Sequence, residues 1–236
     1  MKYIKLFETT AAFESARATL DLPNVSLTEN DMDVHYLPYV APVTPTYDYV
    51  EIGGIKWATK NIGANSVTDA GLYFQWGDVR GYTASQLSGA CHSNAFSLAD
   101  YNMAKYGSFD GLVTLESSDD AATANMGVTW HMPTVADFNK LLSATTNAWV
   151  TNYKGSGVNG RLFTSKTDSS KVLFFPAAGY CYRGSVGSVG TCGYYWSSSL
   201  NTSNVISGRF LYFSSGDCDM SDNLRFLGFS VRGVAV

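Results

Sequence analysis

The spacing of apolar residues changes along this chain. Near the start, Leu6, Phe13, Ala16 and Leu20 fall on one face of a helix over Ala11–Leu20, which Thr9 or Thr10 can cap. Pro23 to Leu27 and Val34 to Leu37 read as short strands around a polar turn, Glu29 to Asp33. Three prolines between Pro38 and Pro45 mark a linker. Residues 1–45 are therefore expected to form a small N-terminal module. It is too short to bury much apolar surface by itself, so it is expected to associate with copies of itself or with a larger structure.

Beyond the linker the pattern is that of a larger domain, residues 46–236. Val50–Ile52 and Ile55–Ala58 flank Gly53-Gly54 as a hairpin, and Leu72–Trp76 is a further strand. Three helices are signalled by capping pairs: Ser97 with Asp100 before Leu98–Tyr106, Ser117 with Asp120 before Asp119–Met126, and Thr134 with Asp137. Gly107 and Gly127 close the first two. In the third, Val135, Phe138, Leu141 and Leu142 point one way. From Gly160 onward the pattern holds only short strands and loops. The expected class is α+β, a few helices followed by a long antiparallel β region.

That β region has a peculiar internal order. Phe174–Tyr180, Gly193–Ser199 and Gly228–Arg232 are aromatic, small and strand-like, and read as frame. Between them lie Cys181–Cys192, Leu200–Arg209 and Asp217–Leu227, rich in Ser, Gly, Asn and Asp and without strand or helix period. A rigid frame carrying loosely constrained loops is the design of a binding surface. Composition sharpens this. Lys, Glu and Gln occur 16 times in residues 1–176 and not once in residues 177–236, which also lack His and Pro. Burial would explain such an alphabet in the frame but not in polar loops.

Charge and length then exclude several classes. A net charge of −4 with no basic run argues against sequence-independent nucleic-acid binding. No apolar run approaches membrane-spanning length, so no membrane insertion is expected. Met1 to Glu8 shows neither an apolar signal core nor a small-residue cleavage site. The expectation is a product made in the cytoplasm, or a cell-surface protein whose signal was removed. Cys91, Cys181, Cys192 and Cys218 lack metal-ligand spacing. Cys181 and Cys192 could pair across a loop, and free thiols are the favoured reading. His35, His92 and His131 stand in no catalytic motif, so no catalytic residue is assigned and His131 reads as structural. Trp57, Trp76, Trp130 and Trp196 read as core, whereas Trp149 could lie at the surface.

The motifs occur in a recognisable order. Val50–Thr59, Gly71–Gly77, Asp119–Ala122, Trp130–Thr134, Phe175–Tyr180, Gly193–Ser199 and Gly228–Arg232 together resemble the Fibrobacter-type major paralogous domain. That domain is a relative of the formylglycine-generating-enzyme group within the C-type-lectin fold. The resemblance covers roughly residues 48–236 and departs at His131, where the family usually has Arg. The C-terminal arrangement also resembles the variable proteins of diversity-generating retroelements. There, template adenines are mutated and the 3′ end of a gene is rewritten. Asn codons of the AAY type can then become codons for Tyr, Ser, Asp, Gly, Cys, Arg and several apolar residues, but not for Lys, Glu or Gln. The N-terminal module more weakly resembles openings of gut Bacteroidales phage and prophage proteins.

The resemblance implies a C-type-lectin-like fold and a non-enzymatic display protein on a phage tail. Its C-terminal region, about 177–236, would form a diversified receptor-recognition surface. Host-surface protein or glycan would be the partner, virion or tail proteins would hold residues 1–45, and a homo-oligomer is compatible. The alternatives are a bacterial adhesin domain without programmed diversity and, more remotely, a copper oxidase of the formylglycine-generating type using Cys181 with Cys192 or Cys218. No cofactor is expected. Besides that copper, the fold raises calcium at Asp119-Asp120, although acidic residues opening a helix are the simpler reading. The candidate contact residues lie between frame positions: Tyr182, Arg183, Val186, Ser188, Asn204, Ile206, Arg209, Asp217, Asp219, Asp222, Asn223, Leu224 and Leu227. Such a mixture of exposed apolar, aromatic, Arg and Asp side chains is the composition of a paratope.

Overall fold

The computed structural model describes residues 47–83, 85–86, 105–107, 110–182 and 185–235, and the backbone of residues 26–29 and 32–35. The chain divides into two units, Met1–Thr44 and Pro45–Val236. In the first, β1 (Ser26–Glu29) and β2 (Met32–His35) pair antiparallel, with Glu29 opposite Met32. The strands thus run closer to the turn than the sequence pattern placed them. The expected helix Ala11–Leu20 and the proline-rich linker lie outside the described residues.

The second unit is β-rich, with two helices among its described residues. Its elements in chain order are β3 (Tyr49–Ile52), β4 (Ile55–Ala58), β5 (Tyr73–Phe74), α1 (Ala121–Met126), α2 (Val135–Ala144), β6 (Thr145–Val150), β7 (Gly160–Ser165) and β8 (Val172–Pro176). Then follow β9 (Tyr180–Tyr182), β10 (Ser185–Gly187), β11 (Gly193–Leu200), β12 (Ser207–Phe213), β13 (Cys218–Leu224), β14 (Phe229–Ser230) and β15 (Val234–Ala235). Gly53 and Gly54 join β3 to β4 with φ of 63° and 74°, the left-handed pair that a two-residue hairpin turn requires.

Both helices start where a side chain caps them. Thr134 and Asp137 form the expected reciprocal capping box on α2, which buries Phe138 and Leu141 and half-buries Val135 and Leu142. On α1 the cap is Asp120, not Ser117: its carboxylate accepts from Thr123 N at 2.8 Å and also from Met132 N at 2.8 Å. That second bond ties the helix start to the strand-like Trp130–Pro133 segment, which a local capping rule cannot anticipate. Gly127 closes α1 as expected. The expected helix ending at Tyr106 is not seen over its described end. Lys105–Gly107 form a bend, and Tyr106 has a left-handed φ of 58°.

Five strands in the order β13-β12-β11-β14-β5 make the central sheet, with β14 parallel to β11 and the other neighbours antiparallel. β15 joins β4 and β3 in a second sheet, and β6, β7 and β8 make a third. Alternation along β11 and β12 puts different side chains on the two faces of the central sheet. Tyr195, Leu211 and Phe213 pack with Trp57, Phe138, Phe163 and Phe175 beneath α2 and the β6–β8 sheet. Trp196, Phe210 and Phe229 pack with Trp76, Met126 and Trp130 on the other face. The four tryptophans read as core are buried. Trp149 is half-buried against Phe213.

Arg232 fastens the elements together. It is fully buried, with its guanidinium 4.4 Å from the centroid of the Phe175 ring. Its Nε donates to Asn61 Oδ1 at 2.9 Å, Nη1 to Ala58 O at 3.0 Å and Nη2 to Phe174 O at 3.1 Å. Burial pushes its pKa down to about 10, which leaves it charged at neutral pH. No helix among the described residues is long and apolar enough to cross a membrane.

Candidate ligand-binding groove

β9 is set by a turn that only glycine fits. Gly179 has φ 67°, and a Cβ there would lie 2.0 Å from Gly187 O. The turn folds the β9–β10 pair back so that Cys181 bridges Gly228, just ahead of β14. The result is a cavity of about 350 Å³ where β9, β11, β13 and the segment entering β14 meet. Tyr180, Tyr194 and Phe229 line it from the frame, and Tyr182, Asn223, Leu224, Phe226 and Leu227 line it from the inserts.

Tyr194 is the centre of this surface. Its ring lies 5.2 Å from that of Tyr180, 5.1 Å from Phe229, 5.4 Å from Tyr212 and 5.7 Å from Phe210. Burial, then the nearby Cys192 and Tyr212, push its phenol up to about 12, so it stays neutral across the physiological range. Tyr182 is 37% exposed at the rim and sits 5.7 Å from the Phe226 ring.

Backbone and side-chain bonds hold the base of the groove. Trp76 N donates to Arg225 O at 2.9 Å, and Gln75 Nε2 donates to Phe226 O at 2.9 Å. The Arg225 side chain is buried 4.6 Å from the Trp76 ring centroid. There it donates to Lys105 O at 3.2 Å and to Tyr106 O. Burial pushes it down to about 10. Tyr106 OH in turn donates to Asp119 Oδ2 at 2.6 Å, and Lys105 pairs with Asp119 and Glu116.

The central sheet separates the candidate contact residues. Tyr182, Asn223, Leu224 and Leu227 converge on the groove. Leu227, expected in an exposed loop, is instead 8% exposed in the core, because the turn after β13 tucks it under the sheet. Asp219 lies opposite Tyr212, farther along β13. Arg209 and Asp222 are opposite each other on the α2 side of the sheet. There Arg209 lines a second cleft of about 360 Å³ with Ser199, Asn201 and Val135, and its Nε is buried without a hydrogen-bond partner among the described residues.

The remaining candidates are spread more widely. Asn204 is exposed in the Asn201–Ser207 turn, and half-buried Ile206 accepts from Arg225 N at 3.1 Å. Asp217 is exposed in the turn before β13. Val186 is half-buried against the Tyr73–Cys181 pair, and Ser188 takes a left-handed φ of 59° in the turn after β10. Arg183 lies outside the described residues. A third cavity, of about 350 Å³, is lined by Tyr47, Asp48, Lys60 and Asn125 and uses no residue of 177–235.

Sequence reasoning missed Tyr180, Tyr194, Phe226 and Phe229. The signal was present for Tyr194. Strand alternation places it on the face of Trp196, and its cross-strand partner Tyr212 lies on the same face.

The other candidate chemistry is dispersed or engaged. Cys181, Cys192 and Cys218 form no disulfide among the described residues. Cys181 packs on Tyr73, Cys192 lies 3.5 Å from Tyr212 OH, and Cys218 packs on the α2-side core, where burial pushes it up to about 11. His131 exchanges backbone hydrogen bonds with Val234 at 2.9 Å each way. Asp119 and Asp120 serve the Lys105–Tyr106 bend and the α1 cap, and no group of three metal-ligating side chains occurs among the described residues. Comparison of the chain with protein-family models, with curated proteins and with solved structures yields no match.

Proposed function

We propose that the second unit is a C-type-lectin-like recognition domain of the kind carried by diversity-generating retroelements. In this reading it is displayed on a phage tail or comparable particle and binds a host-surface ligand. The observation that carries the reading is the make-up of the groove. Three frame aromatics and five insert residues converge on one cavity, and all come from the stretch that lacks Lys, Glu, Gln, His and Pro.

The mechanism is non-covalent. Tyr and Phe side chains supply large contact area with little rotamer freedom to lose, and the sheet and the Arg225 anchor hold them in place before ligand arrives. Insert positions such as Tyr182 and Asn223 would tune which ligand is held. Residues 1–45 would fasten the domain to its particle.

Sequencing the 3′ end of this gene and its flanking DNA across a population tests the proposal. Substitutions are expected in the codons for Tyr182, Asn204, Asp219, Asp222 and Asn223, sparing Tyr180, Tyr194, Trp196 and Arg232. They should trace to adenines in a nearby near-copy. An invariant 3′ end with no such copy overturns the retroelement reading and leaves an adhesin domain of fixed specificity.

A further inference from the structure

We infer that the groove accepts one neutral pyranose ring, so that the ligand recognised here is a glycan. This rests on the recognition-domain reading above and adds the chemical class of the ligand.

The charge of the lining is the first argument. None of the groove residues is ionisable to a cation or a carboxylate. A cationic ligand would meet no described carboxylate, since Asp222 faces the α2 side and Asp219 stands beside Tyr212 rather than in the lining. An anionic ligand would meet no described cation. Arg209 lines the other cleft, and Arg225 and Arg232 are buried beneath the sheet on backbone carbonyls.

The second argument is the distribution of polar atoms. Asn223 lines the groove, and its Oδ1 accepts from Leu224 N at 2.9 Å, which leaves the amide nitrogen with no hydrogen bond among the described residues. Tyr180 OH, with Gly187 close against its ring, makes no hydrogen bond among the described residues. The site therefore offers aromatic faces with a hydroxyl and an amide at their edges. A pyranose is divided in the same way, with a C–H face and a belt of hydroxyls. An apolar peptide side chain would cover the rings but desolvate Tyr180 OH and the Asn223 amide without replacing their water, which is costly.

Size is the third argument. A volume of about 350 Å³ lies at the low end of small-ligand sites, which suits one ring with the rest of an oligosaccharide in solvent. The frame tyrosines then set the class of ligand, and the insert residues Tyr182 and Asn223 set which sugar is preferred.

The test uses the full-length chain and two sets of probes. The first is a series of methyl pyranosides (glucoside, mannoside, galactoside, fucoside and N-acetylglucosaminide), read by saturation transfer and tyrosine fluorescence. The second is a library of displayed random peptides. At least one pyranoside is expected to bind saturably. Tyr182→Ala and Asn223→Ala should each weaken it by about tenfold, the scale of an interface hot spot, without moving the unfolding midpoint. Lys171→Ala, exposed in the β7–β8 turn, should bind as the unaltered chain does. If no pyranoside binds but peptides do, and Tyr182→Ala abolishes their binding, the glycan inference fails while the recognition-domain reading stands. If neither set binds, or if binding survives both substitutions, the groove is not the recognition site and both fail.

Discussion

The two faces of β11 and β12 are built from the same kinds of residue and serve different ends. On one face, Tyr195, Leu211 and Phe213 are closed off by α2 and the β6–β8 sheet, and no side chain among these three is exposed. On the other, Trp196 and Phe210 are equally buried, but Tyr194 and Tyr212 one step away are only half-covered, and the groove opens beside them. Tyr195 and Tyr194 are adjacent in sequence. The first donates its hydroxyl to Pro176 O at 2.8 Å and is sealed, while the second anchors a surface aromatic cluster. Residue type does not separate sealed core from open groove in this protein; the presence or absence of a covering layer does.

The largest expected effect lies on the closed face. Arg232→Met removes the guanidinium that serves Asn61, Ala58 and Phe174 and leaves those acceptors buried. It should cost about 1–3 kcal/mol for each stranded acceptor and several kcal/mol in all, read as a lowered urea midpoint. A loss below about 1 kcal/mol would mean that this face tolerates change as an exposed surface does. Leu227→Ala asks whether the open face has a packed base. Its expected cost is about 2–3 kcal/mol, the low end of the range for emptying a core leucine site, together with loss of ligand binding. A near-zero cost would dissolve the distinction between groove base and rim.

Two smaller effects sharpen the contrast. Burial raises the Asp119 carboxyl, but hydrogen bonds from Lys105 and Tyr106 outweigh this and hold it below its ordinary value. Its stabilising contribution is therefore full above the unfolded value of about 3.9 and is lost as pH falls through the lower folded value. Asp119→Asn should lower the unfolding midpoint at pH 6 by less than either core change. The difference from the unaltered chain should vanish toward about pH 2, as seen in parallel melts. Tyr182→Ser, at the exposed rim, should change stability by no more than about 0.5 kcal/mol.

Much of the frame was legible because its signals are local. Gly53-Gly54, the Thr134–Asp137 box and the alternation through Tyr194-Tyr195-Trp196 each declare their structure within a few residues. What depended on distant partners was not legible. The cap of α1 falls at Asp120 because Met132, 12 residues on, shares its carboxylate. Tyr106 leaves helical geometry where Arg225, from 119 residues away, reaches its carbonyl. The groove was half-read for the same reason. Irregular hydrophobicity marked the insert residues, but strand-like stretches hid the fact that Tyr180 and Tyr194 line the same cavity. Leu227 was misplaced because an apolar residue in a polar segment carries no sign of whether it turns inward.

The pairing of β15 with β4, Val234 opposite Trp57, has a genetic consequence. Every groove residue is encoded between these two strands, and Arg232, the buried clamp, comes after all of them. A gained or lost base anywhere in that interval shifts the reading frame and erases both β15 and the clamp, so the mistranslated chain cannot close its core. Exchanges of one groove side chain for another leave the clamp in frame. The fold thereby tolerates exchanges of side chain within this segment and does not survive a frameshift in it.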